Sequence, residues 1–343
     1  MNQANELESL ASSIQGITSP FRSYLSDIHE KFQPVEEGKI TNYPPELIPI
    51  ESDSFGINAI TMQGEEFEVG DTNQFFTLQN LVNLLVYGVA LEDYGREYVT
   101  KRVSVEPSHK NLYQLELTTD TRLPKNPLSP AGAITVVDLI KGDSLPERLQ
   151  RVLDKLSRYT GRSLEVDTSV LQAQKAAGNY ERGLGFWLRQ CGVLSDQLQD
   201  TLKLYFDLQA VLVSSNDVAM IAATLANGGI NPITEQAAIE KAYVQDLLSL
   251  MLNCGLGNDS QQWFYQVGIP TQSSIGGGTF LVIPNQLGVG IFSPLISEAG
   301  YSVRGLKVAQ QLSQEFGLHI FNAGDSGSKL QSLIENHSSD EDW

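Results

Sequence analysis

A serine becomes a nucleophile when a base takes its proton, and a lysine three residues further along a helix stands about one turn away, beside that hydroxyl. Ser326-Gly327-Ser328-Lys329 has this spacing. It lies in a Gly- and Ser-rich stretch, however, where nothing would desolvate the lysine and lower its pKa. Ser273 and Ser274 sit better, just ahead of Gly276-Gly277-Gly278, but have no evident base. Tyr205 could deprotonate a substrate only beside a strong activating charge. In Gln79-Asn80-Leu81-Val82-Asn83 the residues one turn apart are both carboxamides. Asn neither ionises to a nucleophile nor acts as a base near neutral pH.

Other chemistries find less support. Cys191 and Cys254 are too few for a disulfide framework and lie in apolar segments, as buried reduced thiols do. His29, His109, His319 and His337 are scattered, without the short spacings that converge on an ion. Neither a metal nor a cofactor is expected. The triple glycine lacks the following helix and lysine of a phosphate loop, so it reads as a strand approached closely by other backbone.

The elements that must position these residues follow from periodicity. The first forty residues carry a weak helical pattern (Leu7, Leu10, Ile14, Ile17, then Phe21, Leu25, Ile28) interrupted near Pro20. Residues 55–62 and 65–71 read as a hairpin around Gly64. Residues 78–91 are apolar nearly all round, hence a buried helix, and 145–159, 182–191, 197–213, 215–227 and 235–254 add helices. Ser215 is the expected cap of the fifth of these six, and Asn227-Gly228-Gly229 its stop. Residues 273–283 and 287–293 read as strands, and 302–316 as a last amphipathic helix.

Strands at both ends of a helical block predict an α+β fold: one antiparallel sheet built from N- and C-terminal segments, with a central helical subdomain and a cleft between them. The expected units are a helical leader (1–37), a main domain (38–321) and a disordered acidic tail (322–343). Within the main domain, residues 38–76 and 268–321 form the sheet part and 77–267 the helical part.

Forty-one carboxylates against 23 Lys and Arg give a net charge of −18, which repels phosphate backbones and anionic lipid. No nucleic acid partner is expected. Neither a signal peptide nor a membrane span is evident, so the expected compartment is cytoplasmic.

Several segments carry a family resemblance: Gly38-Lys39-Ile40-Thr41-Asn42-Tyr43-Pro44-Pro45-Glu46-Leu47, Glu106-Pro107-Ser108, Leu123-Pro124-Lys125-Asn126-Pro127 with Ala131-Gly132-Ala133-Ile134, Ala222 through Pro232, and Ser302-Val303-Arg304-Gly305. In order and spacing they resemble the serine-dependent glutaminases, of β-lactamase/DD-peptidase-like fold, over about residues 38–321. The resemblance implies hydrolysis of L-glutamine to L-glutamate and ammonia by a Ser-x-x-Lys pair, and a homo-oligomer.

At the family's pocket positions this protein differs. Asn80 and Asn83 replace the Ser and Lys after Gln79, and Pro130 replaces an Asn. Gln174 stands for a Glu, Glu181 for an Asn, Gly257 for a Tyr and Gln272 for a Lys. Tyr43, Gln79 and Tyr205 are retained, and Ile275 sits where a backbone N–H would help form an oxyanion hole. Losing the nucleophile of such a hydrolase typically costs about a millionfold. The expectation is therefore a glutaminase-like scaffold without hydrolysis, serving in binding, regulation or scaffolding. The alternative is an amidohydrolase with a non-standard nucleophile, for which Ser273, Ser274 and Tyr205 are candidates. A third reading places the working surface on the N-terminal helices or the acidic tail, where a protein partner would dock.

Overall fold

A computed structural model of the protein describes residues 19–41, 50–108, 115–120, 122–324 and 327–335. The first described element, helix α1 (Pro20–Phe32), starts on a proline, which suits the first helical position because that N–H has no partner in the helix. Phe21, Leu25 and Ile28 fall on one face and are buried. The Phe21 ring packs edge-on against Phe67, centroids 5.0 Å apart. The apolar stripe of α1 is thus used within the fold and is not open to a docking partner; residues 1–18 of the expected leader lie outside the described residues.

Next come strands β1 (Gly56–Thr61) and β2 (Glu66–Gly70), the expected hairpin, turning at Gly64 with φ 85°. The short β3 (Phe76–Thr77) leads through a 3-10 turn, Gln79–Leu81, into α2 (Val82–Thr100), which is kinked at Gly95. Helices α3 (Pro130–Asp138), α4 (Leu145–Thr160), α5 (Thr168–Ala177), α6 (Asn179–Gln190) and α7 (Leu198–Gln209) follow. Strand β4 (Leu212–Val213) pairs with β3, and α8 (Ser215–Ala226), α9 (Lys241–Cys254) and α10 (Ser260–Gln266) complete the helical part. Strands β5 (Thr271–Ser273), β6 (Gly278–Ile283) and β7 (Leu287–Phe292) precede α11 (Val303–Phe316) and α12 (Ser328–Glu335).

The main sheet has the order β2-β1-β7-β6-β5, every pair antiparallel, so N- and C-terminal strands close one surface as expected. Alternation sends successive side chains to opposite faces. Leu281, Val289 and Ile291 join α1 and α11 in one core, whereas Phe280, Val282 and Phe292 join the helical core. Each such side chain, fully buried, stabilises the fold by about 1.5–3 kcal/mol.

Helix α8 lies directly on β7, and this contact explains two glycines. A Cβ at Gly288 would collide with the backbone of Ala223, and one at Gly290 with the backbone of Ser215 and Ala219. Small residues Ala219, Ala222 and Ala223 on the helix meet glycines on the strand, so the two backbones approach closely. The cap of α8 is one residue earlier than expected: Ser214 Oγ accepts from Asp217 N, and the Asp217 side chain accepts from Ser214 N.

Four expectations change. The single strand 273–283 is two, because the turn between them puts Gly277 at φ 87° with Gly277 N donating to Ser274 O. Residues 235–240 are not helical: Glu235 has φ 58°, just after Asn231 Oδ1 accepts from the backbone N–H of Ile233 and Thr234. The 197–213 helix stops at Gln209, since Leu212–Val213 pairs with β3. The tail is not wholly disordered: Ser328–Glu335 is helical, with Leu330 buried in the α1 core, while residues 336–343 lie outside the described set.

Candidate active site in the cleft at Asn80

The junction from β3 to α2 delivers Gln79, Asn80 and Asn83 to the cleft. Gln79 holds a left-handed backbone, φ 49°, a conformation that costs a non-glycine residue of order 1–3 kcal/mol and must be held by its surroundings. Two bonds hold it: Gln79 Nε2 donates to Thr77 Oγ1 at 2.8 Å, and Gln79 Oε1 accepts from Gln174 Nε2 at 2.9 Å.

Asn80 reaches across to the β5–β6 turn. Its Nδ2 donates to Ser273 O at 3.2 Å, and its Oδ1 accepts from Ile275 N at 3.4 Å. Gln272 Nε2 in turn donates to Asn80 O at 2.9 Å. One turn later, Asn83 Nδ2 donates to Leu128 O at 3.4 Å, and Asn83 Oδ1 accepts from Gln209 Nε2 at 2.9 Å. Six carboxamides from four parts of the sequence thus interlock around the cleft floor. A carboxamide suits such a network because it both donates and accepts.

Opposite, the loop into α3 is shaped by Asn126, whose Oδ1 accepts from the backbone N–H of Leu128 and Ser129. Ser129 then caps α3, its Oγ accepting from Gly132 N, and Pro130 takes the first helical position. That is why a segment containing a proline starts a helix that periodicity did not reveal. Helix α5 escaped in the same way; Asp167 caps it through Ser169 N and Val170 N.

Gln79, Asn80, Asn83, Pro130, Gln174, Glu181, Tyr205 and Ile275 line one inner chamber of about 40 Å³ together with Leu128, Phe206 and Gln209. Asn80, Pro130 and Ile275 also border a wide outer cleft of about 850 Å³, where Gly257 and Gln272 lie. Of the expected pocket positions, Tyr43 lies outside the described residues, as does Ser326. Gln209 was missed. Its signal was available: it lies four residues after Tyr205 in one helix, hence on the same face.

Among the described residues, two titratable side chains line the inner chamber, Glu181 and Tyr205, 6% and 7% exposed, and no lysine or arginine does. Gln174 Oε1 and Gln272 Oε1 are both buried without a hydrogen-bond partner among the described residues. Such acceptors cost free energy unless a donor arrives.

Ser273 and Ser274 are fully buried and border neither space. Ser273 Oγ lies 2.7 Å from Thr279 Oγ1 and accepts from Ser302 N at 3.0 Å, while Ser274 Oγ accepts from Gly276 N at 3.3 Å. Both hydroxyls serve the β5–β6 turn and are withdrawn from substrate, which corrects their candidacy as nucleophiles. Cys254 borders the outer cleft, but burial pushes its thiol up to about 12, so it carries no thiolate near neutrality.

The outer walls carry charges of both signs. Lys125 pairs with Glu106 at 2.5 Å, and holds that carboxyl below its ordinary range; Glu116, Asp259 and Glu298 stand along the cleft with Lys39. Lys39 is fixed there because its backbone bridges Ile296. Among the described residues no group of three His, Cys, Asp or Glu could hold a metal ion, and no helix is long and apolar enough to cross a membrane.

An antiparallel sheet with helices on both faces and a cleft beside its β5 edge is the architecture of the β-lactamase-like hydrolases. The glutaminase family matches residues 38–321, and the chain belongs to that family. It is 45% identical to a glutaminase of Microcystis aeruginosa, over 94% of this chain and 96% of that one. A glutaminase of Trichormus variabilis is 42% identical over 88% of this chain and 91% of its own. Among solved structures, Mglu in its glutamate form superposes with a TM-score of 0.84 at 33% identity, over 90% of this chain and 72% of that one. A probable glutaminase of Bacillus subtilis gives a TM-score of 0.79 at 26% identity, over 87% of this chain and 97% of that one.

These relatives correct the expectation of a scaffold without hydrolysis. Proteins 41–45% identical over most of their length carry the name glutaminase, which supports an active glutaminase and not a pseudoenzyme.

Proposed function

We propose that this protein is a glutaminase-type amidohydrolase, cleaving the terminal carboxamide of glutamine to a carboxylate and ammonia at the inner chamber. The observation that carries this reading is the set of glutaminases 41–45% identical to it over most of its length. The family's Ser-x-x-Lys pair falls on Asn80 and Asn83, so the attacking group in this reading is water. Glu181, the one carboxylate among the described residues that line the chamber, takes its proton. The C–O bond forms as the carbonyl becomes an oxyanion; the C–N bond then breaks, and the proton held by Glu181 passes to the departing nitrogen. Ile275 N–H, the donor that the family resemblance suggests, serves the oxyanion once substrate displaces the Asn80 carboxamide that it now contacts at 3.4 Å. Gln174 Oε1 accepts from the substrate's amide N–H.

Ammonia release is the test, with glutamine offered free and as a residue in blocked peptides. Turnover of about 1 s⁻¹, the low end of ordinary enzymes, is expected for one of these presentations. No release above the buffer rate from any of them refutes the reading. Self-association, implied by the resemblance, and a cytoplasmic location stand beside it as proposals for sedimentation and cell fractionation to decide.

A further inference from the structure

We infer that Tyr301 is a further catalytic residue of this site, its phenol hydroxyl donating a hydrogen bond to the carbonyl oxygen of the scissile carboxamide alongside Ile275 N–H. The inference rests on the hydrolytic reading above and supplies a second donor to the oxyanion. It comes from the position of one hydroxyl and the glycine that makes room for it.

Tyr301 closes the turn between β7 and α11. Ser297 N donates to Tyr301 O at 2.8 Å, Gly300 N to Ser297 O at 2.9 Å, and Tyr301 N to Ser297 Oγ at 3.4 Å. At the base of this turn Ile296 bridges both Lys39 and Ser302. The backbone that carries the phenol is therefore fixed in advance, as a donor must be if it is to meet developing charge without reorganising. The turn also packs on the residue that supplies the first donor: a Cβ at Gly300 would meet Ile275 Cγ2 at 3.2 Å. Tyr301 and Ile275 thus line the same outer cleft, with Asn80 and Gln272 beside them.

Gly257, on the cleft wall, opens the 3-10 turn Gly257–Asp259 that follows α9. A Cβ there would lie 2.6 Å from Tyr301 Oη but 3.9 Å from Cζ, so the hydroxyl alone uses the space that a side chain at 257 would take. Tyr301 is 8% exposed, and among the described residues its hydroxyl has no hydrogen-bond partner. A buried phenol ordinarily finds one, and leaving the bond unmade costs free energy that an arriving acceptor recovers. Burial, with the Asp259 carboxylate nearby, holds the phenol above its ordinary range, so near neutrality it donates and is not a base. In the hydrolytic step water adds to the carbonyl carbon and Glu181 takes its proton. Ile275 N–H and Tyr301 O–H hydrogen-bond the oxyanion without giving up their protons, and the C–N bond then breaks as before.

Tyr301→Phe in the full-length protein removes the hydroxyl alone. Because no described residue bonds that hydroxyl, the urea midpoint of the variant should match the parent's. In ammonia release from L-glutamine, kcat is expected to fall about 100-fold, the lower end of the loss on removing one oxyanion donor, with KM within about threefold of the parent. Gly257→Ala pushes on the same hydroxyl, and it should lower kcat at least about tenfold more in the parent than in Tyr301→Phe, where the new Cβ meets only Cζ. The strain of an alanine at φ 48° is common to both backgrounds and cancels in that comparison. A Tyr301→Phe variant that keeps kcat within about threefold of the parent, or that only raises KM, overturns the inference and leaves hydrolysis intact. Equal effects of Gly257→Ala in the two backgrounds overturn it as well. No ammonia from the parent refutes the hydrolytic reading, and the inference falls with it.

Discussion

The substitution Glu181→Gln isolates the proton-transfer step. Glu181 is 6% exposed, and apart from Tyr205 every other described residue lining the inner chamber is a carboxamide, an apolar side chain or a proline. A carboxamide in its place keeps the volume and the hydrogen-bonding reach but cannot accept the water's proton. Positioned acid–base groups typically contribute about 10²–10⁴-fold, and at about 1.36 kcal/mol per decade that is a barrier increase of roughly 2.7–5.5 kcal/mol. The fold should persist, because glutamine has nearly the volume of glutamate and opens no cavity. Ammonia release by the variant, measured at saturating substrate, should therefore fall at least about 100-fold with KM little changed, and thermal unfolding should stay within a few degrees of the parent. A variant that keeps more than about a tenth of the parental kcat refutes Glu181 as base. A variant that loses activity only because it no longer binds substrate also refutes it, since calorimetry would then show the defect in affinity.

Further outcomes follow from the packing. Gly288→Val drives a side chain into the backbone of Ala223, where neither element can yield; overpacking costs about 1–3 kcal/mol even when side chains can shift, so a loss of at least about 3 kcal/mol in urea unfolding is expected, and an unchanged midpoint would contradict the close strand–helix contact. Arg304 is 2% exposed and donates to Val35 O, Ser52 O and Gln33 O at 3.1, 3.1 and 2.9 Å, so Arg304→Met strands three carbonyls and should cost about 3–5 kcal/mol on the same unfolding assay. Burial raises the Cys254 thiol to about 12, whereas an unfolded thiol titrates near about 8.5; the folded state favours the protonated form, so this group's contribution to stability is whole below about pH 8.5 and is lost as pH rises toward 12. An aromatic disulfide reagent at pH 8 should accordingly titrate exposed Cys191 alone in the native protein and both thiols after unfolding; two rapid native equivalents would show that Cys254 is not buried.

Much of the fold was legible because its signals are local. The β1–β2 hairpin follows from alternation around Gly64, and α4, α8 and α11 from helical periodicity with a cap or a glycine stop. Where local signals compete, sequence reasoning failed in identifiable ways. Periodicity shows no helix at Pro130, yet Asn126 and Ser129 arrange the turn and cap that put it at a helix start. Residues 212–213 continue an apolar run, yet pairing with β3 makes them a strand. The helix at 328–335 lies in a polar stretch whose one buried anchor, Leu330, finds its partners on α1, some three hundred residues away in sequence.

The same division holds for the site. By itself the sequence determined which chemistry the pocket positions carry: Asn80 and Asn83 at one helical turn, Gln174 and Glu181 where a resemblance places them, and no metal-binding spacing. Only the tertiary structure decided what those side chains meet. Asn80 and Ser273 are 193 residues apart, and they touch because β1 and β7 pair to close the sheet, bringing the β5 edge against the 3-10 turn ahead of α2. Ser273 and Ser274 looked available until the β5–β6 turn claimed both hydroxyls. The division into a chamber of about 40 Å³ and a cleft of about 850 Å³ is likewise invisible in any window of sequence. Periodicity and capping act over a few residues, whereas the size and charge of a cavity are set by which distant elements pack together.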